Sequence, residues 1–333
     1  MSDHPYTPMP APPPEPARAE SPAPRKRTGP LIGGIVAAIA LVVGIAVVAL
    51  TQGDSAEAQP LTLSFTQGQT QTYQIHQTME ADISSDVLGD QPMTMDITQV
   101  VGWEVVSVAD DGTATIEVTV SEMSGTVNGT ELPTTPVPPI EMVIAADGRI
   151  VSAGGLALGG AGQTQGFGFP GMGQLTPLLP DRGETVEVGD TWTKEFSQEF
   201  PFGEGTIGFS ATSTYERDET VDGHEAAVIV TEMTVPMDFT LSFAALLEAL
   251  GPTATGASGT DPSLFQEARI TYRGEGTVAQ TSFVDLQAQE LLRTEGSGAF
   301  DLEMSFTGIP GLEAAGAAEV AFVGTFTQEM TLR

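Results

Sequence analysis

Few residues of this chain are suited to acid–base or nucleophilic chemistry. The sequence has no cysteine and three histidines, and Lys194 is the one lysine beyond residue 26. It contains no G-x-S-x-G, S-x-x-K, H-E-x-x-H or Walker sequence, the motifs that position a nucleophile, a metal or a phosphate in common enzyme classes. The sequence therefore predicts a protein that is not an enzyme and that uses no cofactor.

One histidine has acidic neighbours in the sequence. His224 follows Asp222 by two residues and directly precedes Glu225, and a catalytic histidine does need a carboxylate to hold it. The Asp-Gly pair just before His224 is a strong hairpin-turn signal. In a chain with 44 acidic residues, a carboxylate beside a histidine is also expected by chance. We therefore interpret His224 as a turn residue.

Metal ligation has equally weak support. Asp110-Asp111-Gly112 and Asp147-Gly148 resemble fragments of calcium loops, but neither continues into the full ligand pattern, and hairpin turns explain both. Met93 and Met95 offer two thioethers, which suit Cu(I). Methionines two residues apart on a strand are, however, ordinary core residues. The sequence predicts no metal site.

Methionine and phenylalanine are the residue types best suited to forming a binding surface. Their side chains provide adaptable apolar area. One interpretation is a groove for a lipid or another apolar ligand, with the glycine-rich residues 154–173 as its lid. The other is an ordinary core, with residues 154–173 as a connection. The residues predicted to line the groove are Met93, Met95, Phe167, Phe169, Met233 and Met237.

Acidity is the strongest compositional feature, with a formal net charge of −32 at pH 7. Such a field repels phosphate, which excludes nucleic-acid binding. It favours a basic protein partner, or it forms only a solvated acidic shell. Because the chain has no cysteine, core burial alone must stabilise the fold.

An apolar run precedes the acidic region. Residues 31–50 lack charged and polar side chains and are long enough for a helix of about 30 Å, the thickness of a bilayer core. The basic residues Arg25, Lys26 and Arg27 come directly before it. This predicts a single-pass cell-membrane protein with a cytoplasmic N-terminus and an extracytoplasmic C-terminal domain. A signal peptide cleaved after Ala56-Glu57-Ala58 is the alternative. The predicted anchor residues are Leu31, Ile35, Ile39, Val43, Val47 and Leu50.

Beyond the apolar run, the pattern is typical of β-structure. Residues 113–120 alternate between apolar and polar side chains, as half-buried strands do. We predict a disordered proline-rich tail at 1–30, a transmembrane helix at 31–50, a linker at 51–59 and an acidic β-rich domain at 60–333. Further strands are predicted at 70–79, 93–107, 226–235, 268–284, 299–306 and 320–332.

Two parts of this domain look alike. In each, a strand that begins near a glycine and an aromatic residue precedes an Asp-Gly pair, at Asp111-Gly112 and at Asp222-Gly223. This fits two similar units, about 60–153 and 184–333, joined by a glycine-rich segment. The predicted fold is therefore mainly β. It is a strongly curved antiparallel sheet or two packed sheet units, with one or two short helices, one of them at 243–250.

A longer pattern lies in the middle of the domain. The pair Leu179-Pro180 is followed by Val186-Glu187-Val188-Gly189-Asp190-Thr191-Trp192, and later come Tyr272-Arg273-Gly274-Glu275-Gly276 and Phe283-Val284-Asp285. With this layout, the chain resembles a family of uncharacterised bacterial envelope proteins, in which an anchor or signal precedes a β-rich domain. That family implies no activity. In architecture alone, the chain is also similar to lipoprotein-carrier half-barrels, which hold acyl chains against an apolar concave face.

The resulting functional hypothesis is a membrane-anchored, extracytoplasmic, non-enzymatic binding module for a lipid or another apolar ligand. The alternative is a structural or protein-interaction domain of the cell envelope with an acidic recognition surface.

Overall fold

Long strands make up most of the described chain. The structure is a computed structural model that describes residues 58–85, 89–132, 138–153, 156–157, 175–199, 203–242, 244–245, 267–308 and 319–333. All of these residues belong to one compact unit, Ala56–Arg333. The strands are β1 (Gln59–Pro60), β2 (Thr70–Ser85), β3 (Gln91–Val108), β4 (Ala114–Val127), β5 (Thr130–Glu131), β6 (Ile140–Ile144), β7 (Ile150–Ala153), β8 (Leu156–Ala157), β9 (Thr185–Val186), β10 (Thr191–Glu199), β11 (Gly203–Val221), β12 (His224–Ser242), β13 (Arg269–Asp285), β14 (Leu291–Thr307) and β15 (Glu319–Leu332).

Alternation of side chains creates one buried face and one exposed face along the middle of the long strands, whereas Ala226 and Val228 at the start of β12 are buried on the opposite side in a small separate cluster. Along β12, Met233, Val235 and Met237 are buried, whereas Thr234 and Asp238 between and beside them are exposed. Successive side chains of a strand point to opposite faces, so this pattern separates a core face from a solvent face. The long β-strands predicted from the sequence are thus present.

The long strands form a single antiparallel sheet. Within the described residues, its order is β10-β11-β12-β13-β14-β15-β2-β3-β4-β6-β7-β8, with β5 paired to β4, while β1 and β9 form a separate two-stranded pair. The last strand, β15, pairs along its length with β2. Of the two predicted architectures, the structure therefore has one continuous open sheet.

The Asp-Gly pairs form hairpin turns, as predicted. The turn at Asp111-Gly112 joins β3 to β4, that at Asp147-Gly148 joins β6 to β7, and that at Asp222-Gly223 joins β11 to β12. The three glycines have φ of +84°, +82° and +90°, a region that glycine enters without the steric cost paid by other residues.

The sheet curls around a shared core at one end. Ile116 of β4 and Ile229 of β12 belong to the same buried cluster, although six strand positions separate β4 from β12. In a flat sheet these strands would lie about 29 Å apart. We call this cluster the turn-end core because it lies near the three Asp-Gly turns. Leu61 and Leu63 from the segment before β2, and Leu179 from the segment before β9, help to fill it.

Helix is almost absent from the described residues. Of the helix predicted at 243–250, residues 244 and 245 are described and helical, and the hydroxyl of Ser242 accepts a hydrogen bond from the Ala245 N–H at 3.5 Å. In the part of the chain that the structure covers, there is no helix long and apolar enough to span a bilayer. The predicted anchor at 31–50, the basic residues at 25–27 and the glycine-rich residues 158–173 lie outside the described ranges.

Candidate functional site

The inner side of the sheet carries a continuous apolar surface, which we call the Met/Phe face. Its side chains come from neighbouring strands, β10 through β15 and then β2 and β3, and cross-strand pairing aligns them in rows. Directly opposed residues have Cβ atoms about 4.5–5.5 Å apart, so each row is a line of touching side chains. Its buried members on the sheet are Met79, Ala81, Phe209, Ala211, Met233, Val235, Met237, Phe239, Val278, Phe300, Leu302 and Phe326, and its partly buried members are Met93, Met95, Phe196, Tyr272 and Phe322.

Glycines make room for two aromatic rings on this face. Phe300 lies between Gly276 and Gly324 in its row, and Phe326 has Gly298 as a direct partner. A Cβ added to Gly324 would lie 2.6 Å from Cζ of Phe300, and one added to Gly298 would lie 2.5 Å from the ring of Phe326. The rings thus occupy space that side chains on the adjacent strands would otherwise need. This is the known pairing of aromatic residues with glycine in curved sheets.

Aromatic pairs mark two positions on the Met/Phe face. The rings of Phe239 and Tyr272 are stacked with centroids 4.8 Å apart, and those of Phe196 and Phe209 with centroids 6.0 Å apart. Burial raises the pKa of Tyr272, which keeps its phenol neutral at physiological pH. In each pair one ring is buried and the other partly buried, so each pair links the covered interior to the accessible rim.

The structure places four of the six predicted groove residues in this one cluster. Met95 and Met233 belong to the same cross-strand row, while Met93 and Met237 lie in the next two rows. Met233 and Met237 are 4% and 3% exposed, whereas Met93 and Met95 are partly exposed. The other two predicted residues, Phe167 and Phe169, lie outside the described residues.

Sequence reasoning missed several members of the Met/Phe face. Phe300, Leu302, Phe322 and Phe326 lie on strands that were predicted, yet they were not assigned to the groove. Their even spacing along β14 and β15 places them on a single face of each strand. That period-two spacing is the signal that identifies them.

Residues 175–180, which we call the strap, cross the inner side between the two buried clusters. Leu178 belongs to the Met/Phe face cluster and Leu179 to the turn-end core. The Leu179 N–H donates to the Asp147 carbonyl at 2.9 Å, and the Trp192 Nε1–H donates to the Leu178 carbonyl at 3.0 Å. The strap therefore bridges the β6–β7 turn and strand β10, which lie near opposite edges of the sheet.

An ion-pair cluster reinforces this bridge. The Lys194 ammonium on β10 lies 3.3 Å from Oδ2 of Asp147 and also contacts Asp181 just after the strap. The hydrogen bond from Lys194 lowers the pKa of Asp181. The pattern that runs from Leu179-Pro180 to Trp192 therefore has a structural role in this arrangement, since these residues hold the two sheet edges together.

His224 and Asp285 form a close pair with a structural role. Nδ1 of His224 lies 2.7 Å from Oδ2 of Asp285, whose side chain is 4% exposed. The other carboxylate oxygen, Oδ1, accepts hydrogen bonds from the backbone N–H groups of Gln287 and Ala288. Burial of Asp285 opposes its ionisation, but these hydrogen bonds and His224 outweigh burial and lower its pKa. The pair thus fixes the β13–β14 turn. Among the described residues, no three potential ligand side chains are placed to hold a metal.

Asp285→Asn is expected to reduce stability at pH 7 by about 1–2 kcal/mol, because a charged acceptor is replaced by a neutral one. A carboxylate with a depressed folded-state pKa stabilises the protein above its unfolded-state pKa, near 3.9, and this contribution is lost as pH falls through the folded value. The difference between variant and parent should therefore shrink below about pH 4. Denaturant unfolding across pH measures it. Glu225→Gln, an exposed carboxylate on the neighbouring strand, is the control, and a pH-independent difference at Asp285 would contradict the assignment.

Comparison with known proteins gives no family assignment. No protein-family model matches the chain, and no curated protein matches it. Among solved structures, DynF from the dynemicin biosynthesis pathway of Micromonospora chersina is 10% identical over 85% of this chain and 91% of its own, with a TM-score of 0.22. A putative outer membrane lipoprotein-sorting protein domain from Vibrio parahaemolyticus is 11% identical over 78% and 84% of the two chains, with a TM-score of 0.14. A LolA superfamily protein from Nitrosomonas europaea is 9% identical over 81% and 89%, with a TM-score of 0.13.

Two of these three structures, the lipoprotein-sorting protein domain and the LolA superfamily protein, are weak structural neighbours. At TM-scores this low, however, the likeness does not establish a shared fold.

Proposed function

We propose that this protein is a non-enzymatic binding module whose Met/Phe face accommodates a lipid or another apolar ligand. The observation that carries the proposal is the concentration of methionine and phenylalanine in adjoining rows on one side of a single sheet. Flexible thioethers and aromatic rings adapt to apolar ligands of variable shape. The partly buried rim, formed by Met93, Met95, Tyr272 and Phe322 among others, supplies the surface that a ligand would contact first.

Mass spectrometry of the purified full-length chain tests this proposal. An apolar species should be extracted with organic solvent in roughly equimolar amount to the protein. The same extraction after mild denaturation and refolding should yield no such species. A freshly purified chain that carries no apolar molecule, and that takes up none from added lipid, would overturn the proposal.

Rim substitutions should weaken ligand uptake without unfolding the protein. Met93→Asn combined with Met95→Asn removes two thioethers that are partly exposed on the inner face, and each is expected to contribute about 1 kcal/mol of apolar contact. The double variant should therefore bind a fluorescent fatty-acyl probe about 30-fold more weakly. Thr94→Asn is the matched control, since Thr94 lies between the two methionines and points to the opposite, exposed face.

The membrane anchor and its topology belong to the same proposal. Residues 31–50 would span the cell membrane, with residues 25–27 in the cytoplasm and the β-rich domain outside, because basic residues flanking a membrane helix remain cytoplasmic. Protease added to intact cells should then remove the domain that follows the anchor. Complete protection, under conditions that digest known surface proteins, would refute this topology.

A second candidate function is recognition of a basic protein partner by the outer face. A shallow open groove of about 570 Å³ is lined by Glu195, Asp238 and Glu275 of that face, and also by Phe196 and Phe209 of the Met/Phe face. Glu275 is also directly opposite Asp301 across β13 and β14, a like-charge pair that a cationic partner would relieve. Such binding should weaken steeply between about 50 and 500 mM salt. Capture of a partner that is indifferent to salt would argue against it.

A further inference from the structure

A row of buried polar side chains separates the Met/Phe face from the turn-end core. On the sheet it runs through Ser213, Thr231 and Gln280, which are direct cross-strand partners, with Ser282 and Thr294 in the adjoining row. We call these residues, together with Thr176 of the strap, the polar belt. Each is at most 3% exposed. The belt therefore lies at the inner end of the apolar surface proposed to hold a ligand.

Hydrogen bonds satisfy most of the belt. The hydroxyls of Ser213 and Thr231 lie 2.9 Å apart, and that of Thr176 donates to the Gly148 carbonyl at 2.6 Å. The side-chain amide nitrogen of Gln280 donates to the Thr176 carbonyl at 3.1 Å and to the Ser282 hydroxyl at 2.9 Å. These bonds fix the orientation of the Gln280 amide. Both hydrogen bonds involve the amide nitrogen, so they provide no donor for the carbonyl oxygen of Gln280.

The carbonyl oxygen Oε1 of Gln280 has no hydrogen-bond donor in the described part of the chain, although the residue is only 3% exposed. A buried acceptor without a donor is costly, and native structures rarely retain one without a reason. Gln280 borders the Met/Phe face, because Val278 of that face precedes it by two residues on the same strand. Gly296, the direct partner of Gln280, has no side chain, and the buried side chain of Gln328 on β15 packs over it, since a Cβ at Gly296 would lie 3.0 Å from Nε2 of Gln328.

The composition of the belt defines the group that would complete it. Serine, threonine and glutamine are all uncharged, and Lys194, which lies opposite Ala211 in the adjoining inner-face row, is already paired with Asp147 and Asp181. A buried carboxylate or phosphate would therefore lack a counter-charge, which is strongly unfavourable. A hydroxyl or amide N–H can donate to Oε1 without introducing charge.

We propose that the polar belt binds the head of the apolar ligand, and that this head is uncharged and donates a hydrogen bond to Oε1 of Gln280. The ligand class is a neutral single-headed amphiphile, such as a long-chain alcohol or a monoacylglycerol. This inference rests on the proposed function, since it assigns chemistry to the inner end of the same site.

Three probes with the same alkyl chain test the inference: decan-1-ol, decyl methyl ether and decanoate. Each is titrated calorimetrically into the full-length chain held in an amphipathic polymer, with the polymer alone as reference. The alcohol should bind about tenfold more tightly than the ether, because only the alcohol donates a hydrogen bond. It should also bind more tightly than decanoate, whose charge would be buried unpaired.

Gln280→Met links this preference to the proposed atom. Methionine has a similar length and no amide oxygen to accept a hydrogen bond, so the variant should bind alcohol and ether equally well. Thr277→Val on the exposed outer face should retain the preference for the alcohol.

Equal binding of alcohol and ether by the parent protein would overturn the inference, as would tighter binding of decanoate. If a water molecule donates to Oε1 of Gln280 instead of the ligand head, the parent protein should bind alcohol and ether equally well. If none of the three probes binds, the proposed function itself fails, so the two failures are distinguishable. The parent titrations decide the question even if Gln280→Met does not fold.

Discussion

Gly148→Ala is expected to destabilise the protein by about 3–4 kcal/mol. Gly148 has φ +82°, and a Cβ there would lie 1.8 Å from the carbonyl oxygen of Pro177. The left-handed conformation alone costs an L-residue about 1–2 kcal/mol. The collision also forces the strap away from the β6–β7 turn, which breaks the hydrogen bonds that Thr176 and Leu179 make there, each worth about 1 kcal/mol.

Gly68→Ala is the matched control for this prediction. Gly68 has the same φ of +82°, but no atom lies within 4 Å of the place where its Cβ would stand, so only the conformational cost of about 1–2 kcal/mol applies. Denaturant unfolding of the two variants measures the difference. Equal losses of stability would show that contact between the strap and the turn contributes nothing.

Phe326→Ala is expected to cost about 3–5 kcal/mol, the range observed for truncating a fully buried phenylalanine. Phe326 is 2% exposed and lies between Gly298 and Met79 in its row. Since Gly298 has no side chain to move into the space, the cavity would stay largely unfilled. Thermal or denaturant unfolding provides the measurement.

Phe322→Ala provides a comparison within the same strand. Phe322 lies on the same face of β15 but is only partly buried, so its loss should cost about half as much. The two variants should also differ in ligand binding. Phe322→Ala should weaken binding more than it lowers stability, because Phe322 lies on the rim where a ligand would make contact, whereas Phe326→Ala should mainly lower stability, because Phe326 is buried. Equal losses of stability in the two variants would show that Phe326 is no more deeply buried than Phe322, which would contradict the distinction between the buried part of the Met/Phe face and its partly exposed rim.

The periodicity of the sequence was sufficient to predict the sheet but not its extent. Alternation predicted part of β4, and the β-like pattern predicted parts of β2, β3, β12, β13, β14 and β15; all of these strands are present and most are longer than predicted. Strand β11 was not predicted, because residues 212–220 are almost entirely polar. Its buried positions, such as Ala211 and Tyr215, become recognisable only when they are paired with Met233 and Ile229 of β12.

Contacts between distant parts of the chain could not be predicted from local patterns. No short-range signal indicates that β15 pairs with β2, or that the indole of Trp192 donates to the carbonyl of Leu178. The Met/Phe face was predicted in part, since methionine content pointed to Met93, Met95, Met233 and Met237. The polar belt was missed, because Gln280 and its partners are separated by up to 104 residues and meet only after the strap crosses the sheet.

The pairing of β15 with β2 has a consequence for how the protein is made. Strand β2 can pair with β15 only after the ribosome has synthesised residues 319–332, so the contact between these two strands forms after strands β3 to β14 have been synthesised. Until then the edges of β2 and β14 that β15 will cover carry unpaired backbone N–H and C=O groups, which can pair with other nascent chains. Assembly of the sheet should accordingly be slow and depend on chaperones, and losing the last strand should lead to aggregation rather than to a smaller working protein.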